Sequence, residues 1–308
     1  MEIALQKLVW ETVKMLGVYV LIMSPLAIWL WRLHAERRKH LDGREEPFTQ
    51  YPIRPPGESL RLKIAELESQ CDERLTTFLL IPTVLAGMIV ANPAFRSFPY
   101  LAGALVIILS YSLRAGPRLL RFARELRDYK LGYLGERVVG EQLNQLMLEG
   151  FRVFHDVPFD GYNIDHVIVG ARGVFAVETK TRRKPRGDDG TKNYCVTYDG
   201  AVLRWPWGED AHGLEQACDN ARALAVFLSS ATGEQVKVDP MLVLPGWWVE
   251  RIGRGPVNVL NEKEIRRSFR NHGKLMEPQI NRIVHQLTDK CRVVREPVGA
   301  APNSRSKR

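Results

Sequence analysis

The sequence predicts a mixed α/β domain, a central sheet with helices packed on it, preceded by an all-α transmembrane region. Three observations predict this. Within the first 113 residues, Met15–Leu33, Thr76–Phe95 and Ser97–Leu113 are long apolar runs, the last two uncharged and the first charged only at Arg32. From residue 151 onward, short Val/Ile-rich runs separated by Gly-containing turns read as strands. Segments of helical periodicity lie before, between and after those strands.

Met15–Leu33 can span a bilayer, with Pro25 tolerated inside it and Trp29 and Trp31 beside the Arg32 boundary as interfacial aromatics. Glu2, Lys7, Glu11 and Lys14 ahead of it, and the lack of a small-residue cleavage site, argue against a removed signal peptide. Residues 34–75 read as a basic, Pro-rich linker ending in a helix over Ser59–Arg74, residues 76–113 as a membrane hairpin turning at Asn92-Pro93, and residues 114–130 as a basic juxtamembrane helix. Lys and Arg are dense between 32 and 74 and again from Arg114, whereas the turn between the second and third runs has only Arg96. The positive-inside rule then puts the N-terminus outside and residues 34–75 and everything after 114 in the cytoplasm, the arrangement of a multi-pass protein of a bacterial inner membrane.

A helix is expected to open at Leu131-Gly132-Tyr133-Leu134-Gly135-Glu136 and to run to about Leu148, ahead of Gly150. Glu136 then lies in the first turn, where a carboxylate suits the helix dipole, or faces a site as an additional acid. Phe151–Asp156 reads as a strand, Asp160-Gly161 as a turn, and Asn163–Val169 with Val174–Lys180 as a hairpin turning at 170–173. A polar loop, Thr181–Lys192, carries Arg182, Arg183, Lys184, Arg186 and Lys192, either as a solvated surface or as a basic flap for phosphate contacts. A second hairpin over Tyr194–Tyr198 and Ala201–Trp205, a helix over Gly213–Ser230, strands at Met241–Leu244 and Val257–Leu260, a helix from Asn261 with a capping box to Glu264, and a helix over Ile280–Leu287 complete a domain spanning 131–290. Residues 291–308 read as a disordered tail.

Side chains alternate along a strand, so Glu178 and Lys180 share one face. Asp165, near the start of the partner strand, is expected beside them at the open end of the hairpin. Two carboxylates and an ammonium among apolar residues are the minimum for a divalent-metal phosphodiesterase. Asp165 and Glu178 would hold Mg2+ or Mn2+, the Thr179 carbonyl would be a further ligand, Lys180 would orient a water or stabilise developing charge, and Glu136 could hold a second metal or its water shell. The plain alternative is a surface salt bridge between Glu178 and Lys180. His166, next to Asp165, points to the other face and is expected to be packed. The four cysteines form no CxxC pair, which argues against a zinc site and for a reducing compartment. Neither a nucleophile elbow nor a Gly-rich phosphate loop is present. A net charge of +9 and a pI near 9.5 favour anionic partners, although part of the excess Arg flanks the apolar runs.

Gly135-Glu136, Asn163-Ile164-Asp165-His166-Val167, Gly173-Val174-Phe175, Val177-Glu178-Thr179-Lys180 and Gln216 resemble the nuclease-related domain (NERD) family of the PD-(D/E)xK superfamily. The resemblance covers about residues 130–265. It implies a restriction-endonuclease-like fold with a four-stranded mixed core sheet, Asp165, Glu178 and Lys180 as the catalytic triplet, and Glu136 and Gln216 as accessory residues. The family often carries Asn-Pro shortly before that Gln, whereas here the stretch is Gly213-Leu214-Glu215. The expected function is a membrane-anchored nuclease with nucleic acid, DNA before RNA, and the lipid bilayer as partners, acting in DNA processing or defence. The competing expectations are a non-catalytic nucleic-acid-binding or assembly module and a membrane scaffold. Nothing polar inside the apolar runs suggests transport.

Overall fold

The computed structural model describes residues 52–185, 194–269 and 275–292, together with single helical positions between 6 and 35. It divides into two compact units, Met1–Gln50, Cys71–Phe122 and Arg295–Arg308 forming one, and Tyr51–Gln70 with Ala123–Val294 the other. The division falls inside both long helices.

In the first unit, the greater part of helix α1 (Glu58–Ala91) is followed by a 3-10 turn at Pro93–Arg96 and the start of helix α2 (Phe98–Asn144). In an apolar stretch every polar side chain needs a local partner, and the hydroxyls of Thr76, Thr77 and Thr83 donate back to the carbonyls of Asp72, Glu73 and Leu79 at 2.7, 2.9 and 2.7 Å. Phe78 stacks on Tyr111 at 5.7 Å, and Phe95 meets Tyr100 edge-on at 5.5 Å. Leu79, Val90, Leu105 and Val106 are exposed. Among the described residues, two helices, α1 and α2 with its extension to Glu149, are long and apolar enough to cross a membrane, and the apolar stretches of both are unburied. Met15–Leu33 lies mostly outside the described residues, as does the tail beyond Arg292.

Two helix boundaries differ from expectation. The helix over Ser59–Arg74 is continuous with the apolar run that follows it, and the basic stretch 114–130 is continuous with both the run before it and the segment expected to open at Leu131. Residues 118–144 contain no proline and are rich in Leu, Arg and Glu, so Gly132, Gly135 and Gly140 do not break the helix. Glu136 is therefore not in a first turn, and a helix-dipole account of it fails. The helix ends at Asn144, and a 3-10 turn over Gln145–Glu149 closes on Gly150 in the left-handed region at φ 87°.

The second unit holds two sheets. A five-stranded sheet has the order β1 (Arg152–Phe159), β2 (Tyr162–Gly170), β3 (Gly173–Thr179), β7 (Val238–Val243) and β9 (Asn258–Leu260), with β1–β2–β3 antiparallel and β3–β7–β9 parallel. It has one strand more than the four that the resemblance implies. A four-stranded sheet, β6 (Gly208–Asp210), β5 (Leu203–Trp205), β4 (Cys195–Tyr198) and β8 (Trp248–Arg251), forms from the connection between β3 and α3 (His212–Thr232) plus one strand after β7. The short strands β6 and β8 carry no strand pattern long enough to be anticipated from sequence. α4 (Ile265–Ser268) and α5 (Glu277–Cys291) complete the chain.

Both faces of the larger sheet are covered, which is why its strands read as near-continuous apolar runs. Val167, Val169, Val174 and Ala176 pack with Leu224 and Leu228 of α3 and Ile283 and Leu287 of α5. Ile168, Phe175, Val177 and Met241 pack on the other face with Val139 and Leu143 of α2, Ile265 of α4 and Phe269. The period-2 alternation thus decides that Glu178, in step with Val174 and Ala176, belongs to the α3 face.

Candidate active site

The site arises where β3 changes partner. Pairing of β3 with β2 begins at Gly170↔Gly173 and stops at His166↔Val177, whereas its pairing with β7 continues to Thr179↔Val243. The amide of Thr179 is left without a strand partner on the β2 side, and it donates to Asp165 Oδ2 at 2.7 Å. The amide of Lys180 donates to the Val243 carbonyl at 3.0 Å. The ladder therefore opens at the two acids, and backbone groups fix their neighbours on both sides.

Helix α3 supplies the opposing wall. Lys180 Nζ lies 2.8 Å from Glu178 Oε1 and donates to Gln216 Oε1 at 2.7 Å. Asn220 Nδ2 donates to Glu178 Oε2 at 2.9 Å. Gln216 and Asn220 are one helical turn apart, so both reach the same strand end. Gly213 lets α3 come this close, since a Cβ there would stand 3.1 Å from Lys180 Cγ. Asn220 escaped the sequence reading, although its i+4 spacing from Gln216 was a usable signal.

Asp165, Glu178, Thr179, Lys180, Gln216 and Glu136 line one cleft of about 590 Å³, together with Arg182 and Arg183. Glu136 reaches it from the C-terminal part of α2, where Gly135 permits near contact with the strand end: a Cβ on Gly135 would fall 1.7 Å from Thr181 Oγ1. The first turn of α1 and the residue before it also contribute. Leu60 lines the cleft, and a Cβ on Gly57 would lie 3.5 Å from Glu136 Oε2. Of the basic residues, Arg183 pairs with Asp128 at 3.5 Å and Arg182 with Asp210 at 3.6 Å, while Lys184 Nζ stands 5.8 Å from the Trp247 ring centroid. Arg186 and Lys192 lie outside the described residues.

The electrostatics are those of crowded acids. Burial pushes Glu136 up to about 8, with the carboxylates of Asp156 and Glu178 adding to the effect and Lys180 opposing it. Burial also holds Asp165 well above the ordinary carboxylate range, helped by Glu178 and Glu136. Glu178, only 2% exposed, is raised by burial against the pull of Lys180 and Asn220. One ammonium faces three carboxylates, so the cleft favours an added positive charge, as protons or as a cation. Among the described residues, no group of three or more His, Cys, Asp or Glu side chains already stands as a metal cluster.

His166 is fully buried, on the opposite face from Asp165 as expected, and shares a 2.9 Å contact between its Nδ1 and His155 Nδ1. Next to His155, Asp156 adopts φ 49° and accepts from Arg54 Nη1 at 2.7 Å, the Ser59 amide at 3.2 Å and the Ser59 hydroxyl.

Residues 131–245 match the family model of the nuclease-related domain. Membership of the PD-(D/E)xK superfamily is consistent with that match, and the matched stretch contains every cleft residue from Leu131 to Gln216. No curated protein matches the chain. Among solved structures, Pyrococcus furiosus SfsA in complex with Ca2+ aligns at 16% identity and a TM-score of 0.20 over 51% of this chain and 51% of that one. The chain thus spans about half the length of that relative, an overlap too weak to bear on fold or chemistry.

Proposed function

We propose that the protein is a divalent-metal-dependent nuclease hydrolysing phosphodiester bonds of nucleic acid, DNA before RNA, in DNA processing or defence. The observation that carries this reading is the convergence of Asp165, Glu178 and Lys180 on one cleft within the nuclease-related domain. The donor set suits a small hard cation. Mg2+ needs only one or two carboxylates and keeps several waters, so Asp165, Glu178 and the Thr179 carbonyl suffice, and a three-acid cluster is not required. Bound there, Mg2+ or Mn2+ supplies polarisation of the phosphate and acidification of a water.

The chain's own groups do the rest. Lys180, held by Gln216, stabilises charge developing on the phosphate or orients the attacking water. Asn220 fixes the rotamer of Glu178. Glu136 retains a proton to about pH 8 in the metal-free cleft and releases it as positive charge accumulates. Arg182 and Arg183 meet the flanking phosphates.

In this reading the domain is anchored on the cytoplasmic side by three spans, with the N-terminus outside. The two apolar helices and the Lys/Arg distribution support it. A second reading, a binding or assembly module without turnover, draws on one observation: both Glu178 oxygens are already engaged, by Lys180 and by Asn220.

The test uses the full-length protein in detergent with linear and circular DNA and with RNA, in Mg2+, Mn2+ or EDTA. Metal-dependent cleavage that falls about 100-fold or more in Asp165→Asn and Lys180→Met is the expected result. Nucleic-acid binding without any cleavage in either metal assigns the second reading.

A further inference from the structure

Beside the cleft lies an aromatic group that the hydrolytic reading does not use. Trp205, at the end of β5, stacks on Trp207 with ring centroids 5.3 Å apart and planes 13° from parallel. Trp247 meets both rings edge-on, at 4.9 and 5.5 Å. Trp205 and Trp247 are buried in the core between the smaller sheet and α3. Trp207 is 53% exposed, so one of its faces is fixed against Trp205 while much of the ring remains in solvent.

Arg182 joins this group to the cleft. Arg182 lines the cleft, its carbonyl accepts from the Trp247 indole N–H at 3.2 Å, and its guanidinium pairs with Asp210 of β6. Lys184 lies over the Trp247 ring. Arg182 thus touches both the acidic cleft and the ring group, whose exposed member is Trp207. Sequence-tolerant binders of single-stranded nucleic acid combine these parts: charge follows the backbone, and a ring receives the base. A paired base offers no free face to such a ring, so the arrangement discriminates by strandedness.

We infer that Trp207 is a stacking platform for an unpaired base of the nucleic acid whose backbone enters the cleft, and that the substrate is single-stranded or carries a single-stranded end. The inference deepens the nuclease reading by naming its substrate class, and it rests on that reading for the occupant of the cleft. Trp207 needs no metal for this role, so binding and cleavage can be scored apart.

The experiment measures fluorescence anisotropy of a labelled oligonucleotide, single-stranded or annealed to its complement, with the full-length protein in EDTA. Wild type is expected to prefer the single strand. Trp207→Ala should weaken single-strand binding about tenfold and duplex binding less than twofold, with Trp207→Tyr keeping most of the affinity. A thermal melt of each variant checks that the fold is intact; if the Ala variant unfolds, Trp207→Leu, which keeps apolar bulk against Trp205 but offers no ring to a base, carries the test with the same expected loss. Unchanged single-strand affinity in Trp207→Ala, or equal losses for single strand and duplex, overturns the inference. So does a Trp207-dependent emission shift on transfer from detergent into lipid nanodiscs with oligonucleotide binding unaffected, which would assign the ring to the bilayer surface. Parallel cleavage assays in Mg2+ separate the two claims. Trp207-dependent binding without cleavage sinks the nuclease reading alone, and cleavage indifferent to Trp207 sinks the stacking platform alone.

Discussion

Glu178 is a buried carboxylate whose oxygens are divided between Lys180 and Asn220. Removing a partner from such a group leaves desolvated charge uncompensated, which costs more than the hydrogen bond itself contributes. Asn220→Ala is therefore expected to destabilise the protein by about 1–3 kcal/mol, read as a shift in the urea midpoint. The histidine pair makes a separate demand at the same scale. His155 Nε2 faces Asn144 Oδ1 at 2.9 Å, which sets that nitrogen as the donor. His155 Nδ1 then accepts from His166 Nδ1–H, and His166 Nε2 is left as a bare buried nitrogen with no hydrogen-bond partner among the described residues. Both rings are held neutral: burial lowers His155 to about 4 and His166 well below 6.5. The unfolded chain takes up these protons near pH 6.5 and the folded one does not, so the contribution of this pair to stability is intact above that pH and is lost as pH drops toward 4. For His155 alone the loss is of order 3 kcal/mol. The raised carboxylates of the cleft gain stability over the same interval, so the histidine contribution is read as a difference: urea midpoints at pH 7, 5.5 and 4 should show wild type losing stability relative to His155→Gln as pH falls.

At the scale of elements, close approach of α2 to the end of β3 depends on one missing side chain. A methyl at Gly135 would sit on the Thr181 hydroxyl, so Thr181, two residues after Thr179, must shift. Gly135→Ala is expected to cost about 1–3 kcal/mol by overpacking, and to lower any cleavage by displacing Lys180, with Thr181→Ala in the same chain recovering part of both. Denaturation of the single and double variants measures this. Much of this neighbourhood was legible in the sequence. The Gly-bounded hairpin put Asp165 and Glu178 side by side, and alternation put Glu178 and Lys180 on one face. The capping pattern at Asn261 was real too: Asn261 Oδ1 accepts from the Glu264 amide at 3.1 Å and Glu264 Oε2 from the Asn261 amide at 3.1 Å, although the helix that follows is only Ile265–Ser268. The parts that were not legible share a cause. α2 was divided at Leu131 because a shift in composition there resembles a boundary, whereas helix hydrogen bonds are indifferent to whether a stretch is apolar or basic. β6 and β8 are held by pairing with neighbours, not by any pattern of their own.

The whole molecule shows the same limit at longer range, because the compact unit that holds the cleft is discontinuous in sequence. It takes in residues 51–70, which precede the apolar stretches, as well as 123–294. No local pattern marks residues 51–70 as part of it. What binds them is a buried acid 102 positions away: Asp156 is satisfied by Arg54 and Ser59, while Pro56 packs where Gly140 leaves room and Leu60 lines the cleft. A fragment of residues 123–294 therefore keeps every residue of the proposed catalytic set and loses both side-chain partners of Asp156. Removing one member of a buried ion pair typically costs about 3–5 kcal/mol, which is comparable with the whole stability of a marginal domain. The fragment is expected to be largely unfolded or to melt far below the intact chain. A peptide of residues 51–70 added in trans should restore it in a concentration-dependent way, whereas the same peptide with Arg54→Ala should not. Circular dichroism melts of the fragment across a peptide titration measure this directly. A fragment as stable as the intact chain without the peptide would show that the upstream segment merely rests on the domain. If the peptide instead restores both folding and the pH dependence set by His155, the unit assembles around the Asp156 clamp, and the chain on either side of the apolar helices forms one domain.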